Sequence, residues 1–326
     1  MLRTIRLTAA IVCFALITLL FLDFTGTLHT WFGWLAKIQF LPAVLALNIG
    51  VVLLLIVLTL LFGRIYCSVI CPLGVFQDAV SWISGKRKKN RFRYSPALRW
   101  LRYGVLTVFV IALVAGWNTF VILLAPYSAY GRMASSLLAP FWQWGNNLMA
   151  YFAERAESYA FYEVDVWMKS LSTLIIAIIT LVVLFILAWR NGRTYCNTIC
   201  PVGTILGFIS RYSIFKPVID TSKCNGCGLC ARNCKASCIN TKAHEIDYSR
   251  CVACMDCLGK CKQGAIRYTR RIPKKESATT ETVQVKSVTA EQVNNARRSF
   301  LSASAVVATT AVLKAQEKLS LIHISE

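Results

Sequence analysis

The string GRIYCSVICPLG at residues 63–74 returns as GRTYCNTICPVG at residues 192–203, and each copy follows a long apolar run. Runs of about 20 apolar residues are what a bilayer-spanning helix needs, and four are present, at about 7–24, 43–62, 105–124 and 171–189. Each copy of the string closes the same unit: an outward helix, an outer loop, a returning helix, then G-R-x-Y-C-x3-C-P-x-G. The predicted architecture is an α-helical polytopic membrane protein of four spans, built as a parallel two-hairpin repeat. A parallel repeat matters for chemistry, because it puts both cysteine pairs on one face of the membrane. An apolar content of 56% and a mean hydropathy of +0.54 exceed those of an ordinary soluble domain.

The net charge of +21 reads as a topology signal rather than a nucleic-acid footprint. Arg3 and Arg6 precede the first run, and Lys86, Arg87, Lys88, Lys89, Arg91, Arg93, Arg99 and Arg102 fill the second connection. Glu154, Glu157, Glu163 and Asp165 make the third connection acidic. Lys and Arg concentrate on the cytoplasmic side, so the N-terminus and everything after Trp189 are expected inside, in a bacterial inner membrane. Membrane lipid is then a partner and nucleic acid is not. The N-terminal run is too long for a cleaved signal peptide and has no clear cleavage site. The outer loops carry Trp31, Trp34, Trp142, Trp144 and Tyr151, read as interfacial anchors.

Chemistry is concentrated in cysteine, of which there are fourteen. On a reducing cytoplasmic face these do not form a disulfide framework. CNGCGLCARNC and CVACMDCLGKC both read C-x2-C-x2-C-x3-C, the run of two-cluster ferredoxins, in which the fourth cysteine of each set serves the other cluster. The expected ligands of one [4Fe-4S] cluster are Cys224, Cys227, Cys230 and Cys261. Those of the second are Cys251, Cys254, Cys257 and Cys234, in a small α+β ferredoxin-like domain. A zinc ribbon needs four ligands, not two interleaved quartets. Lys235 and Lys262 stand where this run usually has proline. Cys238 is read as a packing residue or a spare ligand, and Cys13 as a core residue.

The repeated strings are harder to read. In a helical segment Cys67 and Cys71 share a face, as do Cys196 and Cys200, with Pro72 and Pro201 opening the next helix. Four soft thiolates meeting there suit an iron–sulfur centre, Zn or Cu(I), although cysteines that merely pack remain the alternative. The Arg and Tyr of each G-R-x-Y are expected to snorkel at the interface. Leu73, Phe76, Val80 and Ile83, and Ile205, Phe208 and Ile209, suggest short helices on the membrane surface.

Two C-x3-C-P motifs behind membrane hairpins, followed by a two-cluster ferredoxin segment, resemble the membrane polyferredoxin family of NapH, NosR and CcoG type. The resemblance covers about residues 1–270. It implies electron transfer among quinone or quinol, cytoplasmic clusters and a periplasmic redox partner, the chain being an electron carrier or a quinol dehydrogenase component. An accessory factor for oxidase assembly or copper handling, or a redox-sensing regulator, are the rival readings. Histidines occur only at 29, 244 and 323, which leaves no bis-His haem site in the spans. No G-x-G-x-x-G follows a strand, so NAD has no support.

The expected domains are 1–100 and 101–220 for the two repeats, 221–269 for the ferredoxin-like part and 270–296 for a linker. Residues 297–318, with Arg297, Arg298, Phe300 and Leu301, resemble a twin-arginine export signal. Such a signal implies a C-terminal periplasmic domain. The closing LSLIHISE at 319–326 resembles translated sequencing adapter, so the natural chain is expected to diverge after about Lys318.

Overall fold

The computed structural model describes residues 2–85, 92–155, 162–166 and 170–270, all within one compact unit, Met1–Ile272. The expected linker, the twin-arginine-like segment, the adapter-like end, and the basic residues 86–89 and 91 lie outside the described residues, as does Glu157.

Among the described residues, two helices are long and apolar enough to cross a membrane, Leu2–Leu22 and Leu171–Asn191. The second and third apolar runs are not single helices. The second divides into Phe40–Leu45 and Ile49–Phe62, the third into Arg99–Val114 and Asn118–Leu124, and the two halves of each pack on one another. Both breaks have one geometry. Asn48 N–H donates to Ala43 O at 2.9 Å and Trp117 N–H to Ala112 O at 2.8 Å, with Leu47 and Gly116 at φ 52° and 76°. This is the left-handed helix stop that satisfies orphan carbonyls; it falls in the second run of the first unit and the first run of the second, so the two breaks do not correspond under the internal repeat.

A second difference concerns the outer segment between the third and fourth runs. It is helical from Pro126–Met133 through a π turn at Ala134–Leu138 to Ala139–Arg155. Gln143, Asn146 and Asn147 lower its hydropathy, which is why it reads as a loop. Its first turns are buried against Leu2–Leu22 and Leu171–Asn191. Gly131 permits this contact, since a Cβ there would lie 2.7 Å from the Phe21 ring.

The helix after the first cysteine string, Pro72–Gly85, is packed into the bundle rather than set apart from it. It packs between Leu2–Leu22 and Leu171–Asn191, burying Leu73, Gln77, Asp78, Val80, Ser81 and Ser84 while Trp82 and Ile83 face outward. Its counterpart Pro201–Ile209 packs against Arg99–Val114 and Ile49–Phe62, burying Leu206 and exposing Phe208. Large apolar side chains such as Leu54, Ile111 and Ile179 are exposed, whereas Arg6, Arg64, Arg102 and Arg193 are buried. That inversion of the soluble pattern suits a bundle whose outer solvent is lipid.

The ferredoxin-like part begins before residue 221. Strand β1 (Phe215–Ile219) pairs antiparallel with β4 (Ile266–Arg270), and β2 (Ile239–Asn240) with β3 (Glu245–Ile246). The β1–β4 ribbon docks on the end of Ile49–Phe62, where Phe62 stacks on Phe215. Tyr268 OH donates to Phe62 O at 2.9 Å, and Ile214 N–H to Leu60 O at 2.8 Å.

Candidate functional site

Gly63 and Gly192, at φ 74° and 70°, end their helices and turn the chain into the short helices Tyr66–Val69 and Thr194–Thr198. These carry Cys67 and Cys196. Cys71 and Cys200 sit just before the prolines that open the following helices. All four thiols are buried and lie close together. Burial, then Cys196, Cys71 and Cys67, push the Cys200 thiol up; burial, then Cys196 and Cys67, do the same to Cys71. Burial pushes Cys196 up to about 11 even though Arg193 and Arg64 favour its thiolate.

The two arginines of the repeated string do not snorkel. Arg64 and Arg193 are fully buried, and they cross over between the repeats. Arg64 Nη2 donates to the carbonyl of Cys196 at 3.0 Å, and Arg193 Nη1 donates to the carbonyl of Cys67. Each arginine thus holds the cysteine turn of the other repeat. The glycine of each C-P-x-G makes room: a Cβ at Gly74 would meet Cys67 O at 2.1 Å, and one at Gly203 would meet Cys196 O at 2.2 Å. The tyrosines are buried as well. Tyr66 OH donates to Gln39 Oε1 at 2.9 Å and accepts from Phe40 N–H, while Tyr195 OH donates to Leu124 O at 3.0 Å. Interior carbonyls compete better for these donors than the membrane interface does.

Each sulfur also has a nitrogen donor nearby. Gly203 N–H donates to Cys200 Sγ at 3.3 Å, Gly74 N–H to Cys71 and Gln77 Nε2 to Cys196 Sγ at 3.4 Å. Arg64 Nη2 stands 3.9 Å from Cys67 Sγ. Arg64 Nε is buried with no partner among the described residues, a donor that an inorganic sulfide could satisfy. Four cysteines ringed by N–H groups fit an iron–sulfur centre, whose sulfurs are held and tuned by such donors.

In the ferredoxin-like part, Cys224, Cys227, Cys230 and Cys261 line one cavity. Cys234, Cys251, Cys254 and Cys257 line another, together with Cys238. Cys238 is buried, with its sulfur 3.4 Å from Cys234 Sγ, and its thiol lowers Cys234 to about 7. Burial and Asp256 push Cys254 up to about 12. Among the described residues, no three His, Cys, Asp or Glu side chains converge on a single ion. Both sets instead surround cavities, as ligands on separate irons of a cluster do.

The second cavity is the one that faces the repeats. Arg193 lies within electrostatic reach of both Cys196 and Cys254, and Arg64 of both Cys196 and Cys251. Arg193 N–H donates to Lys235 O at 3.0 Å, and Arg102 Nη2 donates to Ser249 O at 2.9 Å. An ion network crosses the same boundary. Asp78 accepts from Arg193 at 2.8 and 2.7 Å and from Arg6. Lys235 Nζ lies 3.0 Å from Asp256 and 3.7 Å from Asp78, and Arg3 binds Asp256 at 2.8 Å. Burial alone would raise the Asp78 pKa, but Arg193, Lys235 and Arg6 hold the carboxyl well below its usual range. Lys235, the departure from proline, therefore ties the two parts together. Sequence reading missed Asp78, Gln77 and the crossed arginines. The one available signal was that both arginines stand at the same offset from their cysteines.

Comparison with known proteins gives two family matches and several relatives. A family described as a 4Fe-4S binding domain matches twice, at residues 44–90 and 172–220, covering both C-x3-C-P strings. A second family of that description matches 217–240. The ferredoxin-type protein NapH of Haemophilus influenzae is 26% identical over 195 residues, 60% of this chain and 55% of the relative. The methylamine utilization ferredoxin-type protein MauN of Paracoccus denitrificans is 22% identical over 189 residues, 57% of this chain and 53% of the relative. An uncharacterized protein of Methanocaldococcus jannaschii is 39% identical over 59 residues, 18% of this chain and 24% of its own length. The chain thus spans about half the length of NapH and MauN, and less of the third. No solved structure matches.

Proposed function

We propose that this chain, which belongs with the membrane ferredoxin-type 4Fe-4S proteins, carries electrons at the bacterial inner membrane. The route would link the quinone pool, cytoplasmic iron–sulfur clusters and a periplasmic redox partner. Cys224, Cys227, Cys230 and Cys261 would hold one [4Fe-4S] cluster, and Cys234, Cys251, Cys254 and Cys257 a second. Cys67, Cys71, Cys196 and Cys200 would hold a third iron–sulfur centre between the repeats. When bound, such clusters supply one-electron storage and transfer.

The observation that carries this reading is the crossed clasp of Arg64 and Arg193. It brings four buried thiols together and sets them against the cavity of Cys234, Cys251, Cys254 and Cys257. The protein's own part is to exclude water, supply N–H donors to sulfur and place positive charge between the two sites. The four apolar runs, broken or not, would form four membrane passages with the N-terminus and the ferredoxin-like part inside. That topology rests on the distribution of Lys and Arg.

Iron and acid-labile sulfide per chain, measured anaerobically, test the reading. About twelve irons are expected in the wild type and about eight in Cys67→Ser/Cys196→Ser. About eight in both, with copper bound to the wild type alone, would overturn the third centre and favour a copper-handling role. Reduced protein that a quinone analogue does not reoxidise would remove the quinone link.

A further inference from the structure

The nine cysteines of the ferredoxin-like part are not equally covered. Cys227 is exposed, whereas the other eight are buried or half-buried. Beside it runs a groove lined by Arg93, Arg232 and Lys242, with Tyr94, Asn240 and Thr241, and, among the described residues, no acidic one. Phe92 N–H donates to Arg232 O at 3.3 Å, which holds Arg93 along the groove. Arg232 Nη2 donates to the carbonyl of Cys227 at 3.0 Å, so the groove continues into the cavity wall. Lys223 and Lys262, next to Cys224 and Cys261, are exposed on the same part.

Few acids offset this charge. Among residues 215–270 the acids are Asp220, Glu245, Asp247 and Asp256, and Asp220 accepts from Ser222. Asp256 is committed to Arg3 and Lys235, and Asp247 accepts from Ser249. Glu245 pairs across β2–β3 with Asn240 and does not line the groove. The cavity of Cys234, Cys251, Cys254 and Cys257 is the one turned toward the membrane repeats, whereas that of Cys227 is lined by residues within 219–266 of the ferredoxin-like part.

We propose that this groove is the docking surface for a small acidic one-electron carrier protein, whose redox centre is thereby brought to the exposed Cys227 edge. The inference rests on the reading that Cys224, Cys227, Cys230 and Cys261 hold a cluster. One electron leaves the carrier, which is oxidised, and enters this chain, which is reduced, with no bond made or broken. Opposed charges align such a pair and raise the encounter rate, an effect that salt removes. Lipid head groups are the weaker fit, because the groove is lined mostly by the ferredoxin-like part, with Phe92, Arg93 and Tyr94 supplied by the segment before Arg99–Val114.

The test uses the full chain in nanodiscs of neutral lipid, with iron and sulfide measured first and a reduced acidic [2Fe-2S] ferredoxin as probe. Its binding is followed by interferometry between about 0.02 and 0.3 M salt. Affinity is expected to fall at least about tenfold over that range. Arg93→Glu/Lys242→Glu should bind about tenfold more weakly at low salt, and Glu245→Lys more tightly. Reduction by methyl viologen, a small cation that needs no docking, should be unchanged in all of them. A wild type lacking the iron of the ferredoxin-like part would overturn the cluster reading itself. Full iron with binding indifferent to salt and to both charge reversals would overturn the docking surface alone. Slowed amide exchange at residues 240–243 in anionic discs, with no ferredoxin binding in neutral ones, would assign the groove to lipid and overturn it too.

Discussion

Replacing Gly203 by alanine adds one methyl group where the fold has no space for it. The new Cβ would stand 2.2 Å from the carbonyl oxygen of Cys196 and 2.8 Å from Arg64 Nη2. The first contact is to backbone, so rotating a side chain cannot relieve it, and the second is to the guanidinium that clasps that carbonyl. Either the turn carrying Cys196 moves or Arg64 leaves it. Overpacking costs about 1–3 kcal/mol, and losing the hydrogen bond of a buried charged donor adds about 1.5–3 kcal/mol. The combined loss is about 2.5–6 kcal/mol, concentrated at the four-cysteine site.

The expected result is selective. Gly203→Ala in nanodiscs should lose about four of about twelve irons, with a lowered thermal midpoint, and keep the iron of the ferredoxin-like part. Gly74→Ala should behave alike, because its Cβ would meet Cys67 O and the Arg193 guanidinium. Gly104→Ala is the control. It lies within Arg99–Val114, and its Cβ would meet nothing within 4 Å. It should keep all its iron and gain about 0.5–1 kcal/mol of helix stability. Full iron and an unchanged midpoint in Gly203→Ala would refute the crossed clasp.

Further outcomes follow from the same contacts. Gln77→Leu, which copies the apolar Leu206 of the second repeat, removes an N–H donor from Cys196 and should lower the potential of the third centre in an EPR-monitored titration. Arg193→Met leaves Asp78 buried without its bidentate partner and should cost about 3–5 kcal/mol, seen as a drop in thermal midpoint that Asp78→Asn/Arg193→Met partly restores. The depressed Asp78 pKa means that its stabilisation is fully present above the unfolded carboxylate value of about 4 and is lost as pH falls through the folded value. The midpoint difference between wild type and Asp78→Asn should therefore be flat from about pH 8 to 5 and shrink below about pH 4. Lys235→Pro, restoring the usual residue, should cut the link to Asp256 and Asp78 and speed proteolysis of the ferredoxin-like part without releasing its iron.

Local pattern alone made several features legible. The interleaved cysteine spacing groups the thiols as the two cavities do, because metal-ligand spacing is a property of neighbouring residues. The first and fourth apolar runs are uninterrupted helices of 21 residues, since nothing within them stops a helix. The duplicated string announced an internal repeat. The breaks within the second and third runs escaped sequence reading because hydropathy averages over a window. It cannot register a left-handed stop at Leu47, a residue type that does not advertise one.

What the tertiary structure alone decided is which partner each buried polar group takes. Arg64 and Arg193 look like interface anchors when read beside an apolar run. Only the packing of one repeat against the other offers them the carbonyls of Cys196 and Cys67 and the carboxylate of Asp78. A buried charge must find such partners or its desolvation goes uncompensated, and those partners lie more than a hundred residues away in the chain. The sequence determined that four cysteines stand at two helix ends. The crossing of two arginines, which requires both repeats folded together, decided that the two cysteine turns lie side by side.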